Sequence, residues 1–289
     1  MSAAGDLAPA RADDSVWRLL RQNSSVMFGA VLLVAMVAAA VLAPALFTVD
    51  PTELNPIARL RAPGAEQWFG TDMYGRDIYS RTVYGTRISL IVGLCAAVLS
   101  VAIGLGIGLI AGYVRLVDAV VMRVMDGIMA IPGILLAIAM IALAGASLTT
   151  VVVAITVPEI PRVVRLVRSV VLSIREEPYV EAAISVGTRL PLVLIRHVLP
   201  NTVGPLIVQG TYVCASAIIT EAILSFLGAG IPPEIPSWGN IMAEGRTYFQ
   251  IAPWIIFFPG IGLALTVLAV NVLGDGLRDT LDPRLARRM

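Results

Sequence analysis

Six stretches of this chain are long and apolar enough that each must either cross a membrane or find another helix to hide against. They cover residues 26–47, 88–113, 120–144, 148–172, 206–228 and 252–273. A hydrocarbon layer about 30 Å thick is crossed by about 20 helical residues. Within it every peptide group must bond inside the protein, and a helix meets that demand alone. With 57% hydrophobic residues, 14% charged residues and a mean hydropathy of +0.85, a soluble globular domain is excluded. The expected fold is an all-α membrane protein with six transmembrane helices. The first run matches a full span rather than the short apolar core of a secretory signal, so it is expected to remain as helix 1. Cys95 and Cys214 both fall inside apolar runs and read as small hydrophobes, so neither a disulfide nor a metal site is expected.

Orientation follows from the basic residues, all of which are arginine. Short loops rich in positive charge stay on the cytosolic side during insertion. With the N-terminus inside, that face collects Arg115, Arg123, Arg162, Arg165, Arg168, Arg175, Arg189 and Arg196, together with the tail residues Arg278, Arg284, Arg287 and Arg288. The long first loop, residues 48–87, sets five arginines against five carboxylates and is nearly neutral. The reading is therefore a cytosolic tail at 1–25, helix 1 at 26–47, an extracytoplasmic loop at 48–87, a core of five helices at 88–275 and a cytosolic tail at 276–289.

Between the fourth and fifth runs lies a stretch that is not a span, residues 179–201, YVEAAISVGTRLPLVLIRHVLPN. Tyr179, Ala183 and Val186 recur at helical spacing and predict a short amphipathic helix packing on that face, with Glu181 and Ser185 turned elsewhere. Gly187 permits a bend and Pro191 suits the first turn of a second helix. Glu181, Ala182, Ala183, Gly187, Leu199 and Pro200 match in type and spacing the "EAA" loop of permease subunits in bacterial ABC importers, His197 and Asn201 fit its peptide-importing branch, and Tyr179 opens the same loop. The resemblance implies a type I permease core formed by helices 2–6, in which residues 176–201 hold a coupling helix that docks on a cytosolic ATPase.

Three further stretches resemble the same branch: FGTDMYGRDIYSRTVYGTRISL at 69–90, EAILSFLGAGIPPEIPSWGN at 221–240, and PWIIFFPG with NVLGDGLRDTLDPR within 253–284. In the first, Gly70, Gly75 and Gly85 are expected in tight turns, and Asp72, Arg76, Asp77 and Arg81 in charge-assisted bonds that fold the loop. The alternative role for these charges is to face a solute delivered by a binding protein. In the third run Asp126 is expected to pair with Arg123 one turn away, and Pro132 to kink the helix. Arg162, Arg165 and Arg168 are expected to reach the cytosolic interface, with Glu159 bonded to Arg162. Glu221 sits within an apolar run, where a carboxyl must face protein or water; anchoring and lining a translocation path remain equal readings. Pro232, Pro233 and Pro236 predict a stiff, extended second outer loop with Trp238 near the interface, part of a platform for the binding protein.

The resemblance implies one permease of a dipeptide or oligopeptide importer in the bacterial inner membrane. Its implied partners are a homologous second permease, two cytosolic ATPases and an extracytoplasmic solute-binding protein. Nickel chelates, glutathione or another small solute are alternative cargoes. The chain has no lysine, so it lacks a Walker A loop, and ATP and magnesium belong on partner subunits. No cofactor and no nucleic acid are expected on this chain. A secondary transporter coupled through Glu221 and an intramembrane protease with an Asp126 and Asp275 pair are the readings from other classes. The single histidine falls on the cytosolic side, which removes a serine and histidine site within the bilayer.

Overall fold

The computed structural model describes residue 21 and residues 23–281. The expected tails at 1–25 and 276–289 lie outside it apart from residues 21, 23–25 and 276–281. Nine helices organise the described residues, and no strand is found among them. They are α1 Ser24–Val41, α2 Ile78–Tyr113, α3 Arg115–Met129, α4 Gly133–Ala144, α5 Leu148–Ile174, α6 Pro178–Ser185, α7 Leu190–Phe226, α8 Trp238–Gly245 and α9 Trp254–Leu281. Four of these, α1, α2, α7 and α9, are long and apolar enough to cross a membrane, and α3 with α4 makes a fifth passage bent by 86°. The sixth is α5, 27 residues long, whose second half carries Glu159, Arg162, Arg165 and Arg168.

The expected kink at Pro132 is thus a full break. Proline has no amide to donate and disfavours helical angles at the residue before it, so α3 stops at Met129 and α4 restarts at Gly133. The second passage starts ten residues before the expected 88, because the Asp77 side chain accepts from the Ser80 amide and caps α2 there. Gly85 accordingly lies in a helix rather than in a turn. Helix α9 runs unbroken through Gly274 and Gly276, which admit Thr211 and Val26 at close range.

The 36-residue helix α2 packs against α1, α5, α7, α8 and α9. Its seam with α5 is built from three glycines and three valines at matching four-residue spacing. A Cβ at Gly104, Gly108 or Gly112 would stand 2.5, 2.7 or 2.7 Å from the Cβ of Val163, Val167 or Val171. The backbones approach closely because those hydrogens are there, as small residues allow between membrane helices. Gly106, two residues off that stripe, meets nothing within 4 Å.

Contacts along the helices sort the connections between two ends. Asn23 donates to the Gly276 carbonyl at 3.3 Å, so the start of α1 lies beside the last turns of α9. Gly112 of α2 meets Val171 of α5 at that same end, which also holds α6. At the other end Arg87 donates to the Val41 carbonyl at 3.1 Å, and Trp238 of α8 donates to the Thr82 carbonyl at 3.0 Å. The first loop, residues 42–77, and the α8 region share that second end.

Candidate functional site

The loop between α5 and α7 is an elbow with its own local supports. Pro178 occupies the first turn of α6, where a missing amide costs nothing. At the far end Gly187 takes φ +82°, its amide donates to the Ile184 carbonyl at 2.9 Å, and the Thr188 amide donates to the Ala183 carbonyl at 3.1 Å. This pair of bonds around a left-handed residue is a Schellman stop, and it sets the angle between α6 and α7. No atom lies within 4 Å of a Cβ built at Gly187, so the demand for glycine is purely conformational.

Three residues predicted for this loop meet across the elbow. Asn201 in α7 donates to the Tyr179 hydroxyl at 3.3 Å and to the His197 carbonyl at 2.7 Å. The Tyr179 and His197 rings lie 6.1 Å apart. Leu199 and Pro200 act on the backbone: proline cannot bond the carbonyl four residues back and its ring crowds it, and the helix widens into a π turn over Leu194–Val198. The Leu199 amide then reaches the Leu194 carbonyl. Glu181 and Ala182 are exposed, and Ala183 is half-buried.

One expectation for α6 is corrected. Its inward residue is Val180, fully buried, whereas Val186 is 84% exposed and Tyr179 is half-open to solvent. The stripe of Tyr179, Ala183 and Val186 does run along one side, but most of that side faces out. A two-turn helix needs one buried anchor to sit on the bundle; the rest of its apolar surface, including Ile184, is left for another molecule.

At the opposite end Asp72, Arg76 and Arg81 are buried in charge-assisted bonds as expected, whereas Asp77 is only partly buried and accepts from Ser80 instead of an arginine. Arg81 donates to Asp72 Oδ2 at 2.7 Å and to Glu244 Oε2 at 2.6 Å. Arg76 donates to Asp72 Oδ2 at 2.6 Å and also reaches Glu244. Asp72 and Arg81 are each 1% exposed. Glu244, on α8, is the partner the sequence reading missed, because it stands 163 residues from Arg81. Gly75, at φ +78°, makes the turn that lets the Arg76 amide reach Asp72, and a Cβ there would collide with the Asn55 carbonyl at 1.8 Å.

Trp238 is also corrected. It is fully buried, its ring lies against Gly262 and Gly85, and it opens α8 instead of decorating an extended loop. Three prolines still prevent a continuous helix before it, but Ser237 supplies a cap that starts a new one, accepting from the Asn240 amide at 3.2 Å. Glu221 is fully buried, and its Oε1 accepts from Ser225 at 2.8 Å and Ser237 at 2.9 Å. It thereby ties α7 to the start of α8, while its Oε2 is buried without a hydrogen-bond partner. Between α3 and α5, Asp126 pairs with Arg165 at 2.6 Å rather than with Arg123, and Arg168 holds Asp118 through two bonds. The expected pair of Arg162 and Glu159 is present at 3.1 Å.

Residues 104–287 match the family described as "Binding-protein-dependent transport system inner membrane component". The chain belongs to that family. Residues 14–63 also match the "N-terminal TM domain of oligopeptide transport permease C". A probable peptide ABC transporter permease of Sinorhizobium fredii is 55% identical over 274 residues, covering 95% of this chain and 94% of that protein. A dipeptide transport system permease of Alkalihalophilus pseudofirmus is 42% identical, with 94% and 91% covered. A glutathione transport system permease of Pectobacterium atrosepticum is likewise 42% identical, with 93% and 89% covered. The chain is an inner-membrane permease subunit of an ABC transporter.

Proposed function

We propose that this permease serves an importer of di- or oligopeptides, and that residues 176–201 pass the motion of cytosolic ATPases to its helices. The named peptide and dipeptide relatives support the cargo. A second reading, glutathione or another small solute, is favoured by the relative named for glutathione. The complex would contain a homologous second permease, two ATPases that bind ATP and magnesium, and an extracytoplasmic binding protein. Both termini of the chain, and the elbow with them, would face the cytosol.

The observation that carries this reading is the way α6 is held. Its Tyr179 hydroxyl accepts from Asn201 of α7, which crosses the membrane, and the Glu177 amide at its start donates to the Ile174 carbonyl at the end of α5 at 3.1 Å, while Glu181, Ala182, Ile184 and Val186 are exposed. A push on that exposed surface is delivered to two passages at once. The Tyr179, His197 and Asn201 cluster makes α6 and the foot of α7 move together.

The test is Gly187→Val in the assembled transporter. A β-branched residue at φ +82° costs about 1–3 kcal/mol of strain, which is relieved by reopening the elbow. Import and solute-stimulated ATP hydrolysis are expected to fall together while basal hydrolysis and assembly persist. Wild-type import and stimulation in a correctly assembled Gly187→Val complex would overturn the role given to the loop.

A further inference from the structure

A basic pocket of about 360 Å³ lies at the membrane-boundary end of α2 and α5, away from the α6 elbow's own bonds. Gly112, Arg115, Asp118, Arg168, Leu172 and Arg175 line it. Three guanidiniums face one carboxylate, and that carboxylate is already held through both oxygens by Arg168. Two positive charges are left over. Arg175 makes only a 3.5 Å bond to the Gly112 carbonyl, and Arg115 is exposed at the first residue of α3. Among the described residues neither has an ion-pair partner.

The pocket also receives the amino end of α3, a helix of 15 residues whose first amides have no side-chain cap. Amides and dipole there favour an anion. Two arginines and a helix start converging on one cavity match a phosphate oxyanion, which accepts several donors at once. Beside the pocket, α3 carries an exposed apolar stripe of Leu116, Val120 and Val124 at four-residue spacing. Leu172 adds an apolar wall. A charged head over an adjoining apolar strip is the layout of an anionic phospholipid.

We propose that this pocket binds a phosphate group, supplied by the head of an anionic phospholipid, with Arg115 and Arg175 as the charges that hold it. Naming the leaflet as the cytosolic one rests on the orientation proposed above; the binding itself does not. Bound lipid would brace α3 against α5 and so fix the start of the bent passage.

The experiment is native mass spectrometry of the whole transporter released from nanodiscs of phosphatidylcholine with phosphatidylglycerol, which reports binding whichever way the subunit is inserted. The wild type is expected to retain phosphatidylglycerol in preference to phosphatidylcholine. Removing one boundary arginine weakens such binding about fivefold, and both about 30-fold. Arg115→Gln/Arg175→Gln should therefore lose the retained lipid, and Arg123→Gln, on the same helix but outside the pocket, should keep it. If the double variant fails to assemble, Arg115→Gln alone carries the test at about fivefold. A parallel arm exposes the transporter in phosphatidylcholine discs to inorganic phosphate. Phosphate binding that depends on the same arginines, without lipid retention, would move the source from lipid to solute and overturn the lipid assignment. Equal lipid retention by wild type and double variant would overturn the site.

Discussion

Glu244→Gln is the substitution that most directly weighs the buried charge cluster at the end opposite α6. The cluster holds Asp72 and Glu244 against Arg76 and Arg81, two charges of each sign, with Arg81 1% exposed. Neutralising Glu244 leaves one arginine charge uncompensated in a site where water does not reach Arg81. Breaking a buried pair in this way costs about 3–5 kcal/mol. The lower end applies, since the Glu244 side chain keeps 17% of its surface exposed. Adding Arg76→Gln returns the cluster to one neutral pair, Arg81 with Asp72. The double variant is therefore expected to recover about 1–3 kcal/mol relative to the sum of the single losses. Equilibrium unfolding of the purified subunit in mixed detergent micelles measures all four species. Losses that simply add, with no recovery in the double variant, would refute charge balance as the reason for the cluster and leave only packing.

Other outcomes follow from the packing. Gly108→Leu should destabilise by about 1–3 kcal/mol, because its Cβ alone would stand 2.7 Å from Val167; Gly106→Ala, which meets nothing, should be neutral or stabilising in the same unfolding assay. Trp238→Ala should cost about 3–5 kcal/mol and expose the α8 region to protease, since a fully buried ring and its bond to Thr82 are both lost. For orientation, Val186→Cys and Ile57→Cys, at positions 84% and 87% exposed, should be labelled by a membrane-impermeant maleimide from opposite sides of the membrane. Labelling of both from the outside of intact cells would refute the placement of the elbow.

The passages were legible because each must satisfy its own backbone, and local composition reports that demand directly. Gly104, Gly108 and Gly112 stand in the sequence at a four-residue spacing that suits close helix packing, but nothing in either helix names Val163, Val167 and Val171 as the residues that fill it. The elbow was readable as helix, bend and helix from Gly187 and Pro191. Its inward residue was misread, because a short helix offers two apolar sides and only the bundle decides that Val180 is the anchor. The same limit hid Glu244, since a lone carboxylate on α8 acquires meaning only when folding brings Arg81 to it. Trp238 was misplaced for a related reason: a tryptophan beside prolines reads as an interface residue until Gly85 and Gly262 are seen to make room for its ring.

The account turns on what the exposed side of α6 touches. A photo-crosslinking amino acid in place of Ala182, activated in intact cells expressing the whole transporter, answers that in one gel. An adduct with an ATPase subunit, lost when that subunit is deleted, is the result expected. An adduct with the extracytoplasmic binding protein, or none in a transporter that still imports, would contradict it.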